Sequence, residues 1–387
     1  MIRHAFFLAT RYINASKGMS FLLVFGLSIA LYLPLFSYFA AELAQEKLIE
    51  RGYSSPILVG YKGDQFDLTM NALYFRGRVR DSITMQVHQN LQARGDGTSV
   101  PLHIHHTASQ SPIVGTTLDY FEERRLTIED GRMFAVIGEV VAGSDVAEDF
   151  HLKIGDTIRS DVTNLYNIAG SYPMTLNVVG ILSPSETEDD RAFFVSIQSG
   201  WALDGLLHGH EKVTAKDSLN PQAKEGENLE ATAAIFLFPE ITKENRGTFH
   251  LHGLESEMPI DSILFFPNSK KAHDQVLGEM ELTSLHHAVR PHLVIENILS
   301  IVFAIEKALY GYFGVLCMAT LSFLGLIFSL RYRLRKDEFI LMERIGGAKN
   351  IILVMLCTEL AVIFFMAILL AGVFSWTSLY ALQIVLS

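Results

Sequence analysis

Hydrophobic and polar positions follow two regimes along this chain. Residues 19–41, 308–330 and 351–387 form apolar runs, the first two uncharged and the third carrying only Glu359. Each is long enough to cross a bilayer, whose ~30 Å hydrocarbon core takes ~20 helical residues. Between the first two runs, apolar residues alternate or cluster in the short stretches of an ordinary folded domain. The pattern predicts strands over residues 56–61, 83–87, 100–106, 175–182, 193–197 and 234–238, and helices over 43–51, 140–150 and 269–280. Residues 204–230 are polar and weakly patterned, and read as a long loop or insertion. The expected fold is an α-helical transmembrane protein with a large α+β domain, in one or two lobes.

Charge then orients the chain. Arg3, Arg11 and Lys17 precede the first run, and Arg331, Arg333, Arg335, Lys336, Arg344 and Lys349 cluster between the second and third. Residues 44–299 carry 21 Lys and Arg against 36 Asp and Glu. Basic residues mark cytoplasmic ends of spans, so both clusters belong inside and the acidic domain outside. The expected division is an amphipathic cytoplasmic segment (1–18), a first span (19–43), an external domain (44–300), a second span (308–330), a cytoplasmic loop and helix (331–349), a third span (351–375) and an external tail (376–387). The first run exceeds a secretory h-region and reads as a retained anchor. Segment 1–18 lies flat on the inner surface or extends the span. Both cysteines, Cys317 and Cys357, fall in expected spans, so the external domain folds without disulfides.

Several motifs carry a family resemblance. Gly138-Glu139-Val140-Val141-Ala142-Gly143 enters a short helix through Ala147 after a Gly131-Arg132 turn. Lys153-Ile154-Gly155-Asp156-Thr157-Ile158 follows, then Val178-Val179-Gly180-Ile181. This resembles the periplasmic domain of FtsX-like, MacB-type permeases of ABC transporters, inserted between spans 1 and 2. The loop Arg331 to Lys336, Glu338, Phe339 to Met342, Ile345-Gly346-Gly347-Ala348-Lys349 and the early Glu359 match the family's order and spacing. Glu343 stands where the family usually has a basic residue, and the family usually has a fourth span. Val59-Gly60-Tyr61-Lys62-Gly63-Asp64, Asn71-Ala72-Leu73-Tyr74-Phe75-Arg76, Ile113-Val114-Gly115-Thr116-Thr117 and Phe249-His250-Leu251-His252-Gly253 resemble a narrower Gram-negative group, some members of which are associated with zinc limitation. The resemblance implies a multi-pass protein of the bacterial inner membrane, acting as a homodimer with a cytoplasmic ABC ATPase. It also implies a periplasmic adaptor or substrate protein.

No Gly-x4-Gly-Lys-Ser/Thr sequence exists, so the chain cradles no ATP phosphates of its own. ATP and Mg would sit on a partner subunit. The expected contact with that partner is Arg335, Asp337, Glu338, Met342, Glu343, Ile345, Gly346, Gly347 and Ala348, a short helix stopped by glycine. The plain alternative is a basic loop obeying topology rules. Glu359 marks a subunit contact or a path of movement, or else a carboxylate near the inner interface reaching water or a base such as Lys349.

Thirteen of fourteen histidines lie in the external domain, including the pairs His103/His105, His208/His210 and His250/His252. Residues i and i+2 share one face of a strand, and imidazole suits zinc, copper and nickel. His106, Glu255 or Glu257 are candidates to complete a site, and the alternative is polar surface. The run Glu186-Thr187-Glu188-Asp189-Asp190-Arg191 reads as a solvated turn, with hard-cation binding the rival. No Gly-x-Ser-x-Gly elbow or catalytic triad appears, and an acidic domain repels nucleic acid. The chain is expected to be a permease subunit, not an enzyme, set in membrane lipid. The rival is a membrane-anchored periplasmic metal-binding or sensing protein without a motor.

Overall fold

The computed structural model describes residues 2–161, 173–208, 241–242, 245–251, 253–344 and 349–386. It divides into two compact units, Ile49–Glu296 and the combination of Met1–Leu48 with Asn297–Ser387.

The second of these is helical. Among the described residues, three helices are long and apolar enough to cross a membrane, over Lys17–Leu43, Pro291–Leu334 and Leu353–Leu382. A helix satisfies every backbone donor and acceptor within itself, which a lipid environment demands. Leu23, Val24 and Leu27 of the first pack with Ile363 and Ala367 of the last, and Leu324, Ile327 and Phe328 of the middle one join them. The hydroxyls of Tyr32 and Ser378 lie 2.9 Å apart and link the first and last helices. Helix Ile2–Ala15 contributes Ile13 to the same cluster. The last helix, Lys349–Leu386, includes residues 376–386 of the expected tail.

The other unit is built on one mixed sheet. From edge to edge its strands are His286–Val289, Ile57–Tyr61, Ser262–Pro267, Gly97–Ala108, Ser111–Thr116, Phe193–Ser196, Glu139–Ala142, Thr175–Leu182 and Ile128–Gly131, with Thr157–Arg159 also pairing Thr175–Leu182. Two pairings are parallel, Ser111–Thr116 with Phe193–Ser196 and Glu139–Ala142 with Thr175–Leu182; the rest are antiparallel. Trp201, Tyr120, Phe193, Phe194 and Phe265 are fully buried around it. The α+β expectation is met.

Several expected elements are found: strands Ile57–Tyr61, Gly97–Ala108, Thr175–Leu182 and Phe193–Ser196, and helix Lys270–Leu282, whose N-cap Ser269 accepts from the Ala272 amide. Two need correction. Residues 83–87 are a two-residue strand, Ile83–Thr84, followed by helix Met85–Ala93, because Met85, His88 and Leu91 bury one helical face. Residues 140–150 are strand Glu139–Ala142 and then helix Ser144–Asp149. A short apolar run fits both periodicities, and the sheet decides between them. The expected strand 234–238 lies outside the described residues.

Candidate functional site

Strand Gly97–Ala108 serves two partners. Residues 97–102 pair with Ser262–Pro267, and residues 103–108 pair with Ser111–Thr116. At the changeover, three steps from His103 to His106 match two steps from Gly115 to Ile113. One extra residue is therefore inserted as a β-bulge, and side-chain alternation breaks there. His105 and His106, neighbours in sequence, consequently reach the same carboxylate as His103.

That carboxylate is Asp204, which ends helix Ile197–Leu203. His103 Nε2 lies 2.8 Å from Oδ2, His105 Nδ1 3.1 Å from the same oxygen, and His106 Nε2 2.7 Å from Oδ1. The second nitrogen of His105, Nε2, lies 2.7 Å from Oδ1 of Asp261. Asp261 Oδ2 also accepts the amide of Ile104, a donor left over by the bulge. His103, His106 and Asp261 are buried, while His105 and Asp204 are half-buried. A cavity of about 230 Å3, lined in part by His105, His106, Phe75 and Arg78, opens beside them.

The electrostatics follow from this geometry. Burial alone would lower the His105 imidazole, but its hydrogen bonds to Asp204 and Asp261, and their charges, raise it to about 10. Burial would raise the Asp204 carboxyl, but the three imidazoles hold it far below the usual carboxylate range. Gly200 makes room for the cluster, since a Cβ there would lie 2.9 Å from His103 Cδ2.

The other two pairs are described only in part. His208 and His250 are register partners across the short pair Leu207–His208 and His250–Leu251, and His250 Nδ1 donates to Thr248 O. His210 and His252 lie outside the described residues. The acids recruited are Asp204 and Asp261, not Glu255 or Glu257.

A second cluster corrects the reading of the acidic run. Arg51, near the end of helix Lys17–Tyr53, forks onto both oxygens of Asp189 and donates through Nε to Leu73 O. Tyr120 donates its hydroxyl to Asp189 Oδ1 at 2.6 Å. Asp190 accepts the amide and hydroxyl of Ser185. Asp189 and Asp190 are buried rather than solvated. The turn presses against Gly143, where a Cβ would meet the carbonyls of Asp189 and Asp190 at 2.4 Å.

Among the apolar helices, Glu359 is buried and accepts from Arg331 Nη1. Arg335 Nη1 lies 3.5 Å from its other oxygen, and Arg331 Nη2 reaches the hydroxyls of Ser16 and Ser20. Among the described side chains the bases it meets are Arg331 and Arg335, and the side chain of Lys349, which spacing offered, lies outside those described. Arg335 starts the segment read as an ATPase contact and stacks over Phe339 at 5.0 Å. Helix Lys336–Arg344 follows, with Asp337 and Glu338 exposed and Phe339 buried. Met342 and Glu343 lie on this helix, and Ile345, Gly346, Gly347 and Ala348 fall outside the described residues.

Residues 35–236 match the model of the MacB-like periplasmic core domain. The chain belongs to this MacB-type family. Similar solved structures include the periplasmic region of MacB from Actinobacillus actinomycetemcomitans, at 11% identity and TM-score 0.35, covering 63% of this chain and 92% of that one. The extracellular domain of the noncanonic ABC-type transporter YknZ from Gram-positive bacteria matches at 10% identity and TM-score 0.32, covering 60% and 98%. The comparison with curated proteins gave no match.

Within this MacB-type chain the matched segment contains His103, His105, His106, Asp204, Arg51 and Asp189, while Asp261, Arg331 and Glu359 lie beyond it. Sequence reasoning missed Asp204, Asp261, Arg51 and Asp189 as cluster members. Asp261 carried a readable signal, a lone acid between Pro259-Ile260 and Ser262-Ile263-Leu264. Asp204 carried none, because it opens a polar stretch.

Proposed function

We propose that the chain is the permease subunit of an ATP-driven ABC complex of a bacterial inner membrane, receiving motion from a cytoplasmic ATPase and delivering it to its periplasmic domain. In this reading the N-terminus and residues 331–349 are cytoplasmic, and two copies of the chain work together with the ATPase. The cargo is an envelope substrate, or a periplasmic adaptor or substrate protein moved or released by the domain.

The observation that carries the reading is the shared carboxylate at the foot of helix Lys336–Arg344. Arg335 at its start and Arg331 at the end of the preceding apolar helix both meet Glu359 of the next one. A displacement of Lys336–Arg344 is thereby passed to both helices. Helix Pro291–Leu334 and helix Lys17–Tyr53 each include residues of the Ile49–Glu296 unit, so each supplies a continuous backbone route. The Arg51–Asp189 fork fastens the last turns of Lys17–Tyr53 to the domain core.

The test is coupled ATP turnover of the chain purified with its ATPase. Glu338→Arg together with Gly346→Trp should abolish stimulation of turnover by the permease, and unchanged turnover refutes the assignment. Labelling of Leu341→Cys in sealed vesicles should occur from the cytoplasmic side alone.

A further inference from the structure

We propose that His103, His105 and Asp204 form a binding site for one divalent transition metal ion of the zinc type in the periplasmic domain. A ligand atom from each of the three lies within 4.8 Å of the other two. Two imidazole nitrogens and one carboxylate oxygen are a borderline donor set that suits zinc and its neighbours. An ion held at ~2.0–2.1 Å by a tetrahedral set spaces its ligand atoms by roughly 3.3 Å. The contacts of 2.8 and 3.1 Å to Asp204 Oδ2 need to widen by only a few tenths of an ångström to admit it.

The surrounding groups make this more than a chance meeting of side chains. Metal-bound histidines usually donate their other nitrogen to a carboxylate, which fixes the tautomer and directs the free lone pair at the ion. His105 takes up this arrangement when the ion displaces the proton of Nδ1, which faces Asp204, while Nε2 goes on donating to buried Asp261. His106 plays the matching part for the carboxylate, engaging Oδ1 and leaving Oδ2 to the ion. The other nitrogen of His103, Nδ1, is buried without a hydrogen-bond partner among the described residues, so without the ion the ring's proton stays on Nε2 against Asp204, and it must leave Nε2 when the ion binds. The bulge that gathers three histidines also exposes the amide that Asp261 accepts, so the strand irregularity and the site form together.

Three protein ligands leave a fourth position, as in sites that exchange ion or substrate rather than in sealed structural ones. The cavity lined by His105 and His106 offers access to it. The site therefore suits an ion that comes and goes, as cargo or as a signal, and it does not depend on the coupling role argued above.

The experiment uses the full chain in lipid nanodiscs, stripped with chelator. Zinc is titrated calorimetrically, and cobalt serves as a visible-absorbing probe of the same site. One equivalent per chain is expected, with cobalt giving the visible bands of nitrogen and oxygen ligation. His103→Gln with His105→Gln should abolish the stoichiometric heat, and Asp261→Asn should weaken affinity about 10- to 100-fold while keeping the ion. His273→Ala, on helix Lys270–Leu282, should leave binding unchanged. Wild-type protein without a stoichiometric site, or a folded double variant that binds as wild type does, overturns the proposal. If the double variant does not fold, Asp204→Asn decides: an unshifted cobalt spectrum overturns the proposal, and a shifted or lost one supports it.

Discussion

Arg331 and Glu359 hold each other from neighbouring apolar helices, the guanidinium donating to Glu359 Oε1 with both side chains nearly excluded from water. Arg331 also reaches Ser16 and Ser20, so the first apolar helix and the residue before it share the same centre. Glu359→Gln keeps the shape but leaves Arg331 buried without a counter-charge. Removing one side of a buried ion pair costs about 3–5 kcal/mol. The thermal midpoint of the detergent-solubilised protein should fall clearly, and the exchange Arg331→Glu with Glu359→Arg should recover part of the loss. Equal midpoints for wild type and Glu359→Gln would show that the pair contributes nothing.

The Arg51–Asp189 fork is expected to behave similarly in the periplasmic unit. Asp189→Asn should destabilise it by about 3 kcal/mol, because Arg51 then stays buried with its charge uncompensated. Tyr120→Phe removes one neutral donor and should cost about 1 kcal/mol. Hydrogen-exchange protection of helix Asp119–Arg124 and of strand Phe193–Ser196 reads both effects.

Acid should weaken the same fork. Burial tends to raise the Asp189 carboxyl, but Arg51 holds it at about 2, against 3.8 when unperturbed. The folded value is the lower one, so the stabilisation is complete above pH ~4 and disappears as pH falls towards ~2. Its size is on the order of 2 kcal/mol. The gap in melting temperature between wild type and Asp189→Asn should therefore be constant near neutrality and close on acidification. A gap that persists to pH ~2 would contradict the linkage.

Gly200→Ala places a methyl 2.9 Å from His103 Cδ2. The ring must shift, at a cost of about 1–3 kcal/mol, and it carries Nε2 away from Asp204. Gly143→Ala meets backbone carbonyls at 2.4 Å and has no flexible neighbour to yield, so it should be the more damaging. Comparative thermal melts of the two variants check the order.

Much of the architecture was legible because it depends on local composition. An uncharged run such as residues 308–330 is long and apolar enough for a lipid-compatible helix, and the alternation in 175–182 suits a strand with one buried face. The histidines at 103, 105 and 106 stood out by spacing. Residues 140–150 misled because Val140, Val141 and Ala142 suit either period until Phe194 and Val178 pair beside them. The acidic run misled for a related reason: charge looks solvated until an arginine more than a hundred positions away fills the space next to it.

By itself the sequence determined the membrane-spanning pattern, the α+β character and the candidate chemistry of the imidazoles, since each rests on residue type and short-range period. Tertiary structure alone decided that Asp204 and Asp261 serve those imidazoles, that Arg51 finds Asp189, and that Glu359 faces Arg331. Such pairings depend on a bulge, a helix end and a sheet register, which bring distant groups within hydrogen-bond reach and leave no periodic trace in the chain.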